Sequence, residues 1–194
     1  MSASPKQLLR ARAIAARRAL GEPERRDRAL RIARRLTALD AFARARTVAL
    51  YAAIGAEVDT TEIARIATAR GKGLAFPRFS EDQRALRFAA CTIEALVPAP
   101  HGTRQPPAAT PAIPYAALDL VLVPGVAFDV QGHRLGRGRG HYDATLALVP
   151  ATAARVGLAF EVQLVPEVPQ EPHDAPLDAI VTEDRVVVVP PRSP

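Results

Sequence analysis

The chain has a single cysteine, Cys91. That excludes an internal disulfide and a multi-cysteine metal site. Aromatic residues make up only 5 % of the sequence, and they are not interleaved with the basic residues as the stacking platforms of single-strand binders are. No apolar run is long enough to cross a bilayer. The N-terminal stretch MSASPKQLLRARAIAARR lacks the apolar centre of a secretory signal. It is Arg-rich and acid-poor, as a transit peptide is, but Lys6 to Leu20 reads as part of the folded protein. These absences predict a cytoplasmic protein with no membrane partner. Lysine is nearly missing as well: of 26 basic residues only Lys6 and Lys72 are lysine. A compact ammonium kept at two places differs from a guanidinium fork at a phosphate.

What is present suits one domain spanning residues 1–194. The chain is long enough to bury a core, and 48 % of it is hydrophobic. The net charge of +6 is uneven, with 13 basic and 4 acidic residues among the first fifty. A solvated helical face accounts for this, and a nucleic-acid-binding module is the other reading it leaves open. Ser4 to Leu20 reads as a helix with Ser4 as N-cap and Pro5 at its first position. Glu22 to Leu39 reads as a second, with Leu30, Leu36 and Leu39 toward a core, and Thr60 to Arg70 as a third, closed by Gly71. Strands are expected at Thr47–Tyr51, Gly73–Phe79, Ala85–Ala90, Leu118–Val123, Arg155–Phe160, Ala179–Thr182 and Val186–Val189. LDLVLV is the apolar run of a strand buried on both faces. Pro98 to Pro114 carries six prolines and reads as a loop or lid. Strands alternating with helices predict a three-layer α/β/α, Rossmann-like fold around a mostly parallel sheet.

The chemistry is concentrated in Val123 to Leu146, VPGVAFDVQGHRLGRGRGHYDATL. Gly132, Gly136, Gly138 and Gly140 stand there with three arginines, between a strand and an expected helix from His141 to Leu148. Bare backbone N–H groups cradle phosphate oxygens, Arg137 and Arg139 offer bidentate forks, and Asp143 lies where it could complement a helix dipole or hold Mg²⁺. No Gly-Lys-Ser/Thr of a Walker A loop is present. The glycines run G-x-G-x-G, not the dinucleotide fingerprint, but Glu161 at a strand end about 20 residues on leaves a nicotinamide-dependent enzyme open. His101, His133 and His173 lack metal-ligand spacing and read as surface residues.

This segment resembles the signature of 5-formyltetrahydrofolate cyclo-ligases, a proline followed by aFD-x-x-G-x-RLGxGxGYYD. The resemblance extends over nearly the whole chain: Lys6-Gln7-Leu8-Leu9-Arg10, Glu57-Val58-Asp59-Thr60, Gly71-Lys72 with Pro77-Arg78, Leu158 to Gln163, His173-Asp174, and Leu177-Asp178 to Thr182-Glu183. It implies a cytoplasmic, monomeric enzyme that couples ATP hydrolysis to closure of 5-formyltetrahydrofolate into 5,10-methenyltetrahydrofolate with Mg²⁺, and no nucleic-acid partner. It implies that Lys6, Gln7, Leu8, Leu9 and Arg10 contact ATP, together with Arg134, Leu135, Gly136, Arg137, Gly138, Arg139, Gly140, His141 and Tyr142. Ala52, Glu57 and the run from Arg137 through Gly138, Arg139 and Gly140 to His141 would meet the folate. Arg137 and Arg139 would be catalytic, and Asp143 and Asp178 would hold Mg²⁺. Two positions depart from the pattern: His141 stands where the family has Tyr, and Gln105 stands where its G-I-x-E-P loop has an acid.

Overall fold

The structure, a computed structural model, describes residues 4–79, 83–171 and 174–190. The expected surface position of His173 lies outside the described residues, as does the side chain of His101. Helix α1 (Pro5–Ala19) starts where the sequence places it. Ser4 Oγ accepts from Gln7 N, and Gln7 Oε1 accepts from Ser4 N, so two otherwise orphaned backbone donors are satisfied reciprocally. The expected second helix is two: α2 (Glu22–Thr37) and the short α3 (Asp40–Arg44). Leu30 does not reach the core and is 37 % exposed. The inward stripe of α2 runs instead through Ala29, Ile32, Ala33 and Leu36.

The remaining elements are β1 (Thr47–Ala49), α4 (Thr61–Ala69), β2 (Gly73–Arg78), β3 (Arg87–Ala90), β4 (Val97–Ala99), β5 (Thr103–Gln105), β6 (Ala112–Ile113), β7 (Leu120–Val123), β8 (Ala127–Phe128), β9 (Arg134–Leu135), α5 (His141–Leu146), β10 (Ala154–Leu158), β11 (Ala179–Val181) and β12 (Val186–Val188). Eight strands form one sheet in the order β12-β11-β10-β7-β1-β2-β3-β6. The five from β11 to β2 are parallel, and β12, β3 and β6 are antiparallel additions at the sides. Alternate residues serve two cores, as the period of two requires. Val48, Leu120, Leu122 and Leu158 pack with Ile32, Leu36 and Ile63 of α2 and α4. Ala49, Val121, Val123 and Ile180 pack on the opposite face with Phe128, Leu146 and Val149. The expected mixed α/β layering is therefore observed.

The proline-rich stretch departs from its expected form. Residues 97–105 fold into the β4–β5 hairpin, and Ala112–Ile113 joins the main sheet as its edge. Very short edge strands tolerate flanking prolines because one side needs no ladder donor. Pro111 and Pro114 bracket β6, and at the far edge β12 carries Val188, 73 % exposed, and is soon followed by Pro190. Lys72 is a structural residue here. Its Nζ donates to the carbonyls of Ala43 and Ala45 and lies 5.1 Å from the centre of the Phe42 ring.

The chain leaves β1 toward β2 on one side, while β7 leads to β10 and β11 on the other. Such a reversal opens a crevice at the carboxyl ends of the two central strands. Gly125, just past β7, sits at that point. A Cβ there would overlap the Phe128 ring, standing 2.8 Å from its Cε2. The Gly125 carbonyl accepts from Gln163 Nε2 at 3.0 Å and Arg17 Nη1 at 3.4 Å. Gly125→Ala is expected to destabilise the fold by about 2 kcal/mol through overpacking, read as a lower urea midpoint at unchanged slope.

Candidate active site

A cleft of about 740 Å³ opens at this switch point, within the size range of small-molecule sites. Tyr51 and Ala52 after β1 and Pro124 and Gly125 after β7 line it from the sheet. Residues 134–143 form one wall, Phe79, Arg84 and Gln105 another, and Arg10, Glu171 and Asp174 lie on the α1 side. Sheet order explains the arrangement, since α1 packs on β8 and on the 3₁₀ turn Glu161–Gln163 that follows β10, whereas Phe79 and Arg84 lie between β2 and β3.

The glycine-rich loop is held at both ends by one ion pair. Arg134 Nη2 donates to Asp143 Oδ1 at 2.5 Å, with side chains 4 % and 17 % exposed. The Arg134 guanidinium also lies 5.8 Å from the centre of the Tyr142 ring, and a Cβ on Gly136 would stand 3.0 Å from its Nη1. Gly138 (φ +96°) and Gly140 (φ +65°) take left-handed conformations between these anchors, where side chains are strained. Arg10 Nε closes the loop from α1 by donating to the Gly136 carbonyl at 3.0 Å.

On the β1 side, Glu57 accepts from Ile54 N at 2.9 Å and from Arg137, Nη2 at 2.9 Å and Nε at 3.1 Å. The carboxylate is thus oriented at the cleft with half-exposed Arg137 across it. Lys6 Nζ lies 3.1 Å from Glu171 and 3.2 Å from Asp174. Burial works against its charge, but these carboxylates prevail and hold the ammonium above its ordinary pKa. His141 Nδ1 lies 2.8 Å from the Arg84 carbonyl, which can only accept, so that nitrogen carries the proton. The His141 ring meets Phe79 edge-on, with centroids 5.3 Å apart.

Most of the expected residues line the cleft; Lys6 stands at its edge, paired with Glu171 and Asp174, Leu9 packs against the core beside Ala13 and Val126, and Gln7, Leu8 and Asp178 lie elsewhere. Gln7 spends its side chain on the helix cap and Leu8 is 51 % exposed, because only Lys6, Leu9 and Arg10 share the inward face of α1. Asp178 corrects the expected metal pair. It precedes β11, where its carboxylate accepts from Arg155 N at 2.7 Å. The strands run parallel, so it lies at the amino end of the sheet, away from Asp143. Glu161 is engaged by Arg185 and Thr182 instead of awaiting a ribose. His133 is half-buried against the buried Asp129, at 2.9 Å, not a surface residue. Sequence reasoning missed Phe79, Arg84, Arg104 and Glu171, which carry no motif, and assigned no role to Asp174 of the His173-Asp174 pair; all reach the cleft through the tertiary fold.

Among the described residues no group of three or more His, Cys, Asp or Glu is placed to hold a metal ion. Asp143, at the end of the glycine-rich loop, offers a carboxylate as a hard oxygen donor. That fits Mg²⁺ in the mode where one carboxylate shares the ion with phosphate oxygens and water. No helix among the described residues is long and apolar enough to cross a membrane.

Comparison with known proteins gives a consistent picture. Residues 2–183 match the model of the 5-formyltetrahydrofolate cyclo-ligase family. The chain is 32 % identical over 193 residues to 5-formyltetrahydrofolate cyclo-ligase of Mycolicibacterium smegmatis, covering 97 % of this chain and 98 % of that one. It is 30 % identical over 195 residues to the mouse enzyme of the same name, covering 93 % and 95 %. Among solved structures, 5,10-methenyltetrahydrofolate synthetase of Aquifex aeolicus superposes with a TM-score of 0.84 at 31 % identity, covering 98 % of this chain and 96 % of that one.

Two phenols beside the cleft set a pH limit on the fold. Burial, reinforced by the Glu57 charge, raises Tyr51 and Tyr142 well above the ordinary value of 10.0. A pKa raised in the folded state gives stability that is complete below the unfolded value and is lost as pH rises toward the folded one. Urea midpoints are expected to fall above about pH 10, and Tyr142→Phe to flatten that fall.

Proposed function

Because the chain belongs to the 5-formyltetrahydrofolate cyclo-ligase family, we propose that this cleft is where it closes 5-formyltetrahydrofolate into 5,10-methenyltetrahydrofolate, with ATP converted to ADP and phosphate. The observation that carries the assignment to this site is the convergence of Arg10, Arg137, Arg139 and the bare 136–140 backbone at the β1/β7 switch point, facing Glu57, with Lys6 at the edge paired to Glu171 and Asp174. We read it, as the family resemblance implies, as a monomeric, cytoplasmic enzyme.

The chemistry needs a better leaving group than the formyl oxygen. That oxygen takes the terminal phosphoryl of ATP and ADP is released. N10 then attacks the formyl carbon, the carbon–oxygen bond breaks, and phosphate departs as the ring closes. Such transfer relies on positioning and charge stabilisation. Lys6 and Arg10 on α1, with the backbone from Gly136 to Gly140, suit the nucleotide phosphates. Arg137 and Arg139 suit the charge that develops between phosphate and formyl oxygen. Glu57, fixed by Ile54 N and Arg137, only accepts hydrogen bonds and so suits the donor-rich edge of a pterin next to Ala52. Arg134 is buried, and its part is to fix the loop and Asp143. Mg²⁺ neutralises phosphate charge when bound, and Asp143 is the residue that would hold it.

Purified protein with MgATP and 5-formyltetrahydrofolate is expected to develop the methenyl absorbance, and none without ATP. Arg139→Ala should lower kcat by roughly 100-fold, the scale for losing one preorganised electrostatic contact, with unchanged circular dichroism. A folded wild type giving no absorbance rise would sink the assignment. Asp143→Ala is expected to abolish turnover and also lower stability by about 3 kcal/mol, since it strands the buried Arg134 charge.

A further inference from the structure

The acids of the cleft are all engaged by cations. Glu57 meets Arg137, Asp143 meets Arg134, and Glu171 and Asp174 meet Lys6. Arg84 and Arg139 also line the cleft, and neither pairs with an acid among the described residues. Their placement is fixed by the glycine-rich loop. Gly138 faces Arg10: a Cβ there would lie 3.6 Å from Arg10 Nη2. Gly140 faces Arg84: a Cβ would lie 3.0 Å from each of its Cζ, Nε and Nη2. Successive bare positions of one loop thus admit a guanidinium from α1 on one side and from the β2–β3 connection on the other.

Arg84 is held firmly from its backbone. Its carbonyl meets His141 Nδ1 at 2.8 Å, Leu86 N donates to Thr145 Oγ1 at 2.8 Å, and Tyr115 Oη donates to the Leu86 carbonyl at 2.9 Å. Arg84 Nε donates to the Arg139 carbonyl at 3.1 Å. Its two terminal nitrogens bond to no acid among the described residues, and an uncompensated guanidinium lining a cleft attracts an anion.

The sheet order says which anion. Lys6 and Arg10 enter over β8 and β10, and Arg84 enters between β2 and β3, across β1. Phosphates held on the α1 side leave the Arg84 side to the other substrate, whose glutamate end carries carboxylates. We propose that Arg84 is a substrate-binding residue that receives a carboxylate at the glutamate end of the reduced folate. This rests on the assignment of the cleft given above. It adds a specificity contact for carboxylate-bearing substrates.

The test is steady-state kinetics with 5-formyltetrahydrofolate and with its glutamate-free analogue, 5-formyltetrahydropteroate. Arg84→Gln is expected to raise KM for the glutamate-bearing substrate about tenfold, the loss of one charged hydrogen bond. KM for the analogue and for ATP should stay within about twofold, and Arg84→Lys should recover part of the affinity. Equal effects on both folates would make Arg84 structural. A shift in KM for ATP would make it a phosphate contact. Either result, or an unchanged profile, overturns the proposal while leaving the cyclo-ligase assignment intact. A wild type without ATP-dependent cyclisation overturns both.

Discussion

Arg134 and Asp143 close a loop whose intervening residues include everything the glycine-rich wall presents to the cleft. The pair is nearly dry, and separating it would leave a buried charge alone. Residues 135–142 therefore cannot drift, although three of them are glycines. Gly136 has to be small because the Arg134 guanidinium occupies its side, and Tyr142 packs its ring near the same group. The loop owes its rigidity to one arginine around which it winds, not to its own composition. That resolves an apparent conflict, since glycine is both the most flexible residue and the one a fixed anion cradle requires.

This rigidity depends in turn on where β7 ends. Gly125 admits Phe128 where a side chain would stand, and its carbonyl takes two donors from Gln163 and Arg17. The chain can then turn back over the end of the sheet as the β8–β9 hairpin and deliver Arg134. Buried Asp129 secures the same hairpin, accepting from the backbone of Gln131, His133 and Val168 and from the His133 ring. The cleft is thus assembled by packing and backbone hydrogen bonds first. Its charges are then shared out so that each acid meets a cation.

What could be read from the sequence follows from how local each signal is. Leu120–Val123 was legible because a strand buried on both faces must be apolar throughout. Ser4 and Pro5 announced α1 because a helix start is written within one turn. The signature from Val123 to Leu146 was legible as a phosphate cradle because glycine, arginine and acid are adjacent in the chain. Asp178 could not be placed this way: its distance from Asp143 depends on strand direction, which its own residue type does not encode. Arg84 and Phe79 reach the cleft through a connection of no distinctive composition. Strands β5 and β6 are two or three residues long among prolines, so their pairing is decided by the sheet edge that receives them.

Those edges have a consequence for the protein in bulk. An exposed strand end offers unpaired backbone groups to any neighbouring sheet. Here the outer strands are two and three residues long, one bracketed by Pro111 and Pro114, the other soon followed by Pro190. A proline has no N–H to extend a ladder. At high concentration two copies meeting edge to edge would find too few consecutive partners to join their sheets, so the prolines that obscure these strands in the sequence also keep the sheet finite.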